Sequence, residues 1–254
     1  MVEIAFYTSL FVQDQVYYLY PNFDPSTRIF QYMDFDYFLN LVENNQYFIS
    51  YKKEFKDKRE SFVFSKYMIP IYPVGANIGE EQKRQDGEKF RQKMEAHNES
   101  TFWPTSCWTL QSTESYLMWK AYASKIGVRV ETTIDDFVLA LNAQMYDVIC
   151  GKMSYEGYHF QQKIEESLYS KEKCYTDERE FRFYFQPKNT LSENEKKELE
   201  MKHGEYVSMD SKVLIKGVTL SPFIHRNTAV ILKKWLEKDL KLTGKVGLSK
   251  IELK

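Results

Sequence analysis

The stretch CYTDEREFRFYF, residues Cys174 to Phe185, decides how the rest of the sequence is interpreted. Side chains of a β-strand alternate between its two faces. The alternation places Arg179, Phe181, Phe183 and Phe185 on one face, and Glu178, Glu180, Arg182 and Tyr184 on the other. The first face is largely apolar and predicts packing against a core. The second face carries two carboxylates one pleat apart.

Two interpretations of the carboxylate face stay open. Glu178 and Glu180 repel each other, which raises the pKa of at least one unless a cation such as Arg182 or a ligand hydroxyl compensates. Such a pair suits a cleft that binds a sugar hydroxyl or stabilises a cationic transition state. An exposed face with cross-strand ion pairs carries the same residues without any function. Spacing alone favours the exposed face.

Hydrophobic periodicity predicts four helices and nine strands around this stretch. The helices are predicted over DFDYFLNLVENNQ with Asp34 as N-cap, Glu114 to Gly127, Ser192 to Gly204 with a Ser192/Glu195 capping box, and NTAVILKKWLEKDLK from Asn227. The apolar stripe of the last is expected to contain Ala229, Ile231, Leu232, Trp235 and Leu236. The strands are STRIFQYM, QYFISY, SFVFSKYMIPIYPV, TSCWTL, GVRVETT, QMYDVIC, EREFRFYF, EYVSM and KVLIKGVTL.

These elements follow no regular βαβ period, which favours an α+β fold with mixed or antiparallel sheets flanked by helices. The 254 residues contain no clear linker, so we expect a single domain over residues 1–254. The polar region Ala76 to Ser100 predicts a mobile loop or a charged helix inserted between strands.

Composition narrows the function classes. Lys and Arg number 35 against 36 Asp and Glu, so no overall charge attracts nucleic acid or an anionic membrane. Three scattered cysteines predict neither disulfides nor zinc, and four isolated histidines predict no metal site. The sequence has no apolar run long enough to span a membrane and no leader pattern, so we expect a cytoplasmic protein. Phosphate-loop, dinucleotide-fold and nucleophile-elbow motifs are also missing from the sequence.

A second group of candidate residues lies in TFWPTSCWTLQSTESYLMWKAYASKIGVRVET, Thr101 to Thr132. A strand carrying Ser106 and Thr109 leads through a Ser/Thr-rich turn into a helix with Trp119 and Tyr122. Small hydroxyls beside flat rings suit a planar heterocycle and its ribose. Aromatic core packing explains the same rings equally well. Of these rings, we expect Trp119 to lie in a cleft or under a loop.

The order of four stretches resembles the DUF2971 family of bacterial proteins, whose function is unassigned. The stretches are IFQYMDFDYFLNLVENNQYFIS, SCWTLQSTESYLMWKAYASKIGVRVET, YTDEREFRFYF and VLIKGVTLSP. The resemblance covers roughly Arg28 to Lys254, which is most of the chain. Each motif is short, and the combined order is the more specific feature.

At greater distance, the strand-helix-strand opening, the hydroxyl-bearing middle strand and the late Glu-x-Glu strand resemble the ADP-ribosyltransferase fold. The resemblance implies NAD as substrate, no metal, Glu180 as the catalytic glutamate and Glu178 as the residue that orients or activates the acceptor. The NAD-binding residues that it implies are Gln31, Tyr32, Ser106, Thr109, Trp119, Tyr122 and Arg182. Gln31 stands where many relatives carry a cation for the phosphates, and a glutamine cannot supply that charge. Arg28, three residues earlier, is expected on the opposite strand face.

The resemblance implies an NAD-dependent ADP-ribosyltransferase or NAD glycohydrolase, acting as a toxin or antiphage effector on a nucleic-acid or protein acceptor. The insertion Ala76 to Ser100 would serve as a lid or an acceptor-binding loop. Whether an inhibitory partner protein controls the activity stays open. The alternative is a non-catalytic module of a bacterial defence system that binds a nucleotide, a nucleic acid or a partner. A nuclease is a weaker third hypothesis, because two glutamates alone make a poor metal site.

Overall fold

A computed structural model describes residues 16–18, 24–55, 79–88, 100–123, 126–142, 145–155, 168–189, 191–242 and 245–252. Its strands are β1 Val16–Tyr18, β2 Arg28–Asp34, β3 Gln46–Tyr51, β4 Pro104–Thr109, β5 Gly127–Thr133, β6 Leu141–Asn142, β7 Tyr146–Lys152, β8 Glu180–Pro187, β9 Gly204–Met209, β10 Gly217–Leu220 and β11 Val246–Leu248. The α-helices with complete bounds are α1 Phe35–Asn44, α2 Tyr116–Tyr122, α3 Ile134–Ala140, α4 Glu193–Glu200, α5 Ser211–Leu214 and α6 Arg226–Lys238. Lys52–Glu54 and Lys173–Glu178 form 3-10 helices.

The eleven strands within the described residues belong to one sheet, which confirms the α+β class. The main path through the sheet is β1-β7-β8-β4-β2-β5-β10-β11. Its pairs are antiparallel except β1 with β7 and β10 with β11. Helices flank this mostly antiparallel sheet. None of the described helices is long and apolar enough to cross a membrane.

The sheet divides at β4. One edge of β4 pairs with β8. The other edge pairs with β2 at Phe30 and Thr109, and with β3 at Ser50 and Thr105. Because a strand has only two edges, β2 and β3 must share this one and diverge from it. β3 continues into a separate branch through β9 to β6. The divergence creates a gap in the sheet, and the candidate site lies at this gap.

The strand β8 lies inside the main path, between β7 and β4, and is buried on both faces over Glu180 to Phe185. Phe181, Phe183 and Phe185 are at most 1% exposed and belong to the main core cluster, which confirms the predicted apolar face. Phe183 stacks on Phe137 of α3, with ring centroids 3.9 Å apart. The rings therefore fix β8 against the helical layer behind the sheet.

The predicted helices α1 and α4 are confirmed, but α4 ends at Glu200 and the predicted terminator Gly204 begins β9. Asp34 precedes α1, and Asn45 ends it in the left-handed region at φ 54°. Ser192 and Glu195 form the predicted capping box of α4, which buries no residue. The predicted stripe of α6 is wrong at Ile231, which is 67% exposed.

Three other predictions are corrected by the structure. The helix predicted over Glu114 to Gly127 spans only α2, and Gly127 begins β5. A Cβ at Gly127 would lie 2.5 Å from the Cβ of Ala123, the residue that follows α2, so this close contact requires glycine. The strand predicted over KVLIKGVTL is interrupted, because α5 precedes the shorter strand β10.

The third correction concerns Glu178. It ends the 3-10 helix Lys173–Glu178, and the strand β8 begins only at Glu180. Arg179 between them adopts the left-handed conformation with φ 44°.

Residues 80–88 of the polar insertion are helical and largely exposed, as one of the two expectations stated. Residues 76–78, 89–99 and the predicted strand SFVFSKYMIPIYPV lie outside the described residues.

Candidate functional site

A cavity of about 540 Å³ lies where β2 and β3 diverge from β4. This volume lies within the range of roughly 300–1,000 Å³ typical of small-molecule sites. The lining side chains come mainly from β2, α1, β3, β4, α2, β8 and the two 3-10 helices. All the predicted site residues except Trp119 line it, namely Gln31, Tyr32, Ser106, Thr109, Tyr122, Glu178, Glu180 and Arg182.

The floor of this cavity is a buried ion pair on β8. Glu180 and Arg182 are 6% and 2% exposed. Arg182 Nε donates to Glu180 Oε1 at 2.6 Å and its second terminal nitrogen to Oε2 at 2.9 Å. Such a bidentate pair fixes the position of both groups. The carboxylate face is therefore neither exposed nor in open water.

The charge of Glu180 is held by this pairing. Burial by itself raises the pKa of Glu180, but the charge and hydrogen bonds of Arg182, the charge of Lys171 and a hydrogen bond with Cys107 outweigh it. The result is a pKa of about 2. Glu180 is thus ionised throughout the physiological range.

Glu178 enters the same cavity from the 3-10 helix instead of from the strand face. Its Oε2 accepts a hydrogen bond from Lys171 Nζ at 2.6 Å, and the same ammonium lies 3.2 Å from Glu180 Oε2. Burial raises the pKa of Glu178, and the hydrogen bond and charge of Lys171 oppose the rise. Both carboxylates contact Lys171, but only Glu180 also accepts hydrogen bonds from Arg182. Their environments therefore differ although the two residues lie two positions apart.

Lys171 is the main site residue that sequence reasoning missed. It is 5% exposed, and its ammonium lies 4.6 Å from the centre of the Tyr175 ring. Tyr155 adds a second unpredicted contact, because its hydroxyl accepts a hydrogen bond from the Glu180 backbone N–H at 2.8 Å. Neither residue stands in a pattern that signals a site. The only signal is indirect, since a buried carboxylate requires a cation from elsewhere in the chain.

Gln31 on β2 and Ser106 on β4 make hydrogen bonds across the gap between the strands. Gln31 Nε2 donates to the Cys107 carbonyl at 3.2 Å, and its Oε1 accepts from the Tyr47 hydroxyl at 2.7 Å. The Ser106 Oγ accepts from Trp108 Nε1 and lies 2.5 Å from the Tyr47 hydroxyl. These bonds join β2, β3 and β4 where their backbones separate.

Thr109 fixes the approach of Glu178. Its Oγ1 donates to the Glu178 carbonyl at 2.6 Å and accepts from the Gln111 backbone N–H at 3.1 Å. Thr109 also lies opposite Glu180 in the β4–β8 register. The middle strand therefore positions the carboxylate segment through backbone contacts.

Trp119 does not lie in the cleft, which was one of its two expected positions. It is fully buried, packs edge-on against Tyr32 at 4.8 Å between ring centroids, and donates from Nε1 to Glu114. It supports Tyr32, which does line the cavity, and cannot itself stack on a ligand there without moving out of the core. Tyr122 does lie at the cavity and is 51% exposed.

The exposed lining residues form the rim of the cavity. Tyr37 is 40% exposed and stacks on Phe48 with ring centroids 4.8 Å apart. Asp34 and Glu54 add carboxylates to this rim. The site thus combines a fixed buried anion, aromatic walls and an acidic rim. This arrangement can stabilise a planar group that carries or develops positive charge.

Comparisons with protein-family models, curated proteins and solved structures found no match to this chain. Within the described residues, no group of three or more His, Cys, Asp or Glu side chains is arranged to hold a metal ion.

Proposed function

We propose that the chain is an ADP-ribosyltransferase-like enzyme that binds NAD in this cavity and releases nicotinamide. The observation that carries the proposal is the ionised, buried carboxylate of Glu180 on the cavity floor. Nicotinamide leaves as a neutral molecule, so the reaction needs a negative charge near the ribose more than it needs an acid. Glu180 is the residue proposed to supply that charge.

The rigidity of the site supports this role. A preorganised charge stabilises a transition state best when it does not have to move during the reaction. Arg182 holds both oxygens of Glu180, and Phe181 and Phe183 pack the opposite face of the strand. Among the donors to Glu180, the Cys107 thiol is the weakest, so a ribose hydroxyl can displace it at the lowest cost.

The described residues fit the two halves of NAD unequally. Tyr32, Tyr122 and Glu180 offer rings and a carboxylate for the nicotinamide and its ribose. The diphosphate needs a cation, and the described lining cations Lys171 and Arg182 already pair with glutamates. Arg28 pairs with Glu131 instead and is not among the lining residues. The described site thus fits the nicotinamide-ribose half and not the diphosphate.

Membership of the DUF2971 family, the ADP-ribosyltransferase-like fold and a role as toxin or antiphage effector belong to the same proposal. They rest on the order of the sequence motifs, with the divided sheet and its acidic cavity as support. The transferred ADP-ribose would go to a protein, to a nucleic acid or to water. The local site does not depend on which acceptor is used.

The test is incubation of the purified protein and a cell extract with NAD labelled in the nicotinamide and, separately, in the adenylate. We expect release of labelled nicotinamide and transfer of adenylate label to an acceptor or to water. Glu180→Gln should abolish release, and Glu198→Gln, on the exposed face of α4, should not change it.

Glu180→Asp separates catalysis from folding. It keeps the charge that Arg182 and Lys171 require but withdraws the carboxylate by one methylene. Release should fall at least about 100-fold, as expected when an oriented charge is displaced, while the circular dichroism spectrum stays that of the wild type. Nicotinamide release that is unchanged in Glu180→Asp and in Glu180→Gln would overturn the proposal.

One observation favours the non-catalytic module as a second candidate. The Glu180 carboxylate already receives donors from Arg182, Lys171 and Cys107, as a purely structural buried ion pair would. Saturable ligand binding without nicotinamide release, in extracts as well as in buffer, would select this candidate.

A further inference from the structure

The charges that line the cavity are unbalanced. Four lining side chains are carboxylates, Asp34, Glu54, Glu178 and Glu180, and two are cations, Lys171 and Arg182. Their formal sum is two negative charges. Lys53, outside the lining, offsets part of the charge of Glu54 from 3.5 Å. The described walls therefore present a ligand with an excess of one to two negative charges.

Both lining cations are committed to carboxylates. Lys171 lies 2.6 Å from Glu178 and 3.2 Å from Glu180, and Arg182 holds Glu180 at 2.6 Å. Moving Arg182 to a phosphate would break the bidentate pair that holds the buried Glu180, and moving Lys171 would take an ion-pair partner from both Glu178 and Glu180. Charge interactions in a partly dry cavity are also stronger than in water. Phosphate binding at the described site is therefore unfavourable, because both cations are already paired and the remaining charge is negative.

The same walls favour a planar cation. Aromatic rings attract cations through their faces, because the ring quadrupole places negative charge there. Two rings of the cavity already do so, since Lys171 lies over Tyr175 and Arg182 lies over Phe55. Tyr37 and Tyr122 extend the aromatic surface to the rim, where they are 40% and 51% exposed.

We infer that the cavity recognises NAD through its cationic nicotinamide-ribose end alone, so that N-ribosyl pyridinium compounds without phosphate bind as well as NAD. The inference rests on the proposed function for the identity of the ligand. It adds that the diphosphate and the adenosine contribute no net affinity at the described residues.

The experiment is isothermal titration at low ionic strength with four ligands: nicotinamide riboside, its uncharged dihydro form, nicotinamide mononucleotide and NAD. The cationic riboside should bind at least about tenfold more tightly than the dihydro form, a difference of about 1.4 kcal/mol. The mononucleotide and NAD should bind no more tightly than the riboside. Equal affinity for the two ribosides, or NAD binding about tenfold more tightly than the riboside, overturns the inference.

A matched pair of variants tests the source of the preference. Asp34→Asn removes a lining carboxylate whose side chain makes no capping bond to α1, and should reduce the preference for the cation several-fold. Asp36→Asn removes another exposed carboxylate, which is not among the cavity-lining residues, and should leave the preference unchanged. If both variants change the preference equally, the cavity charge is not its source and the inference fails.

These outcomes separate the two proposals. Release of nicotinamide from NAD, together with NAD binding far more tightly than the riboside, would preserve the proposed function and overturn the inference. Preference for the cationic riboside without nicotinamide release would preserve the binding preference and overturn the catalytic proposal. Failure of the riboside to bind overturns the inference whatever NAD turnover shows.

Discussion

The two faces of β8 are buried to a similar extent by different forces. Phe181, Phe183 and Phe185 bury one face against the main core. The other face carries Glu180 and Arg182, which are 6% and 2% exposed. An apolar side chain gains free energy from burial at about 25 cal/mol for each Å². A charged side chain gains nothing from burial unless a partner replaces the lost water.

The two faces therefore depend on the sequence in different ways. The apolar face needs only side chains of the right type at every second position, and any core can receive them. The charged face needs particular partners at particular distances. Arg182 is supplied by the strand itself, whereas Lys171 comes from the segment before the 3-10 helix. Burial of the apolar face therefore tolerates changes in its surroundings. Burial of the charged face requires the contacts of Glu180 with Arg182 and Lys171.

The largest effect on stability is expected for Arg182→Met. This change leaves Glu180 buried with Lys171 and Cys107 as its remaining donors, and should lower the free energy of unfolding by about 3–5 kcal/mol at pH 7. The pKa of Glu180 should rise in the variant, so the loss should shrink as the pH falls. Urea unfolding followed by circular dichroism at pH 7 and pH 5 measures both effects.

Phe183→Ala on the opposite face is the matched control. It removes a fully buried ring and should cost a similar amount, about 3–5 kcal/mol. No charge is involved, so its cost should be the same at both pH values. If Arg182→Met also lowers the unfolding free energy by the same amount at both pH values, Arg182 acts through packing alone.

A somewhat smaller effect is expected from acid. The pKa of Glu180 lies at about 2 in the folded protein against an ordinary value of 4.5. A lowered pKa of an acid stabilises the folded state fully above the unfolded value, and this contribution is lost as the pH falls from about 4.5 to about 2. The loss is on the order of 3 kcal/mol.

The measurement compares wild type with Glu180→Gln, because other carboxylates titrate in both proteins. The difference in unfolding free energy should reach its full size above about pH 5 and should nearly vanish by about pH 2. Parallel pH profiles for the two proteins would contradict the assigned pKa of Glu180.

The parts of the fold that were predictable are those fixed by local pattern. β3 and β5 have the predicted bounds because their side chains alternate in type, and Thr133 at the end of β5 also caps α3. The capping box of Ser192 and Glu195 was predictable because all its bonds lie within one turn. The division of the sheet at β4 was not, because it depends on two strands that compete for one edge.

The candidate site was predictable in position more than in geometry. Glu180 and Arg182 lie on the predicted face, since the alternation holds from the first residue of β8. Glu178 does not, because alternation gives no signal of where a strand begins, and the left-handed Arg179 ends the pattern. Trp119 was misplaced because a ring that supports a cavity wall has the same helical spacing as one that lines it.

The smallest expected effect concerns Glu178, two residues from Glu180. Burial raises the pKa of Glu178, so its ionised form is less stable in the folded protein than in the unfolded chain. A raised pKa of an acid stabilises the folded state at low pH, and that contribution is lost as the pH rises through the folded value. Glu178→Gln removes the buried charge and should raise the unfolding free energy at pH 7 by less than about 1 kcal/mol.

Urea unfolding at pH 7 and pH 4 tests this opposite sign, and the gain should decrease at the lower pH. Lys171 keeps Glu180 as a partner in the variant, so no buried cation is left without a carboxylate. A loss of stability as large as that of Glu180→Gln would mean that Lys171 depends on both carboxylates equally. In that case the charged face of β8 would depend on the 3-10 helix as much as on Arg182, and the two carboxylates would have to be treated as one titrating unit.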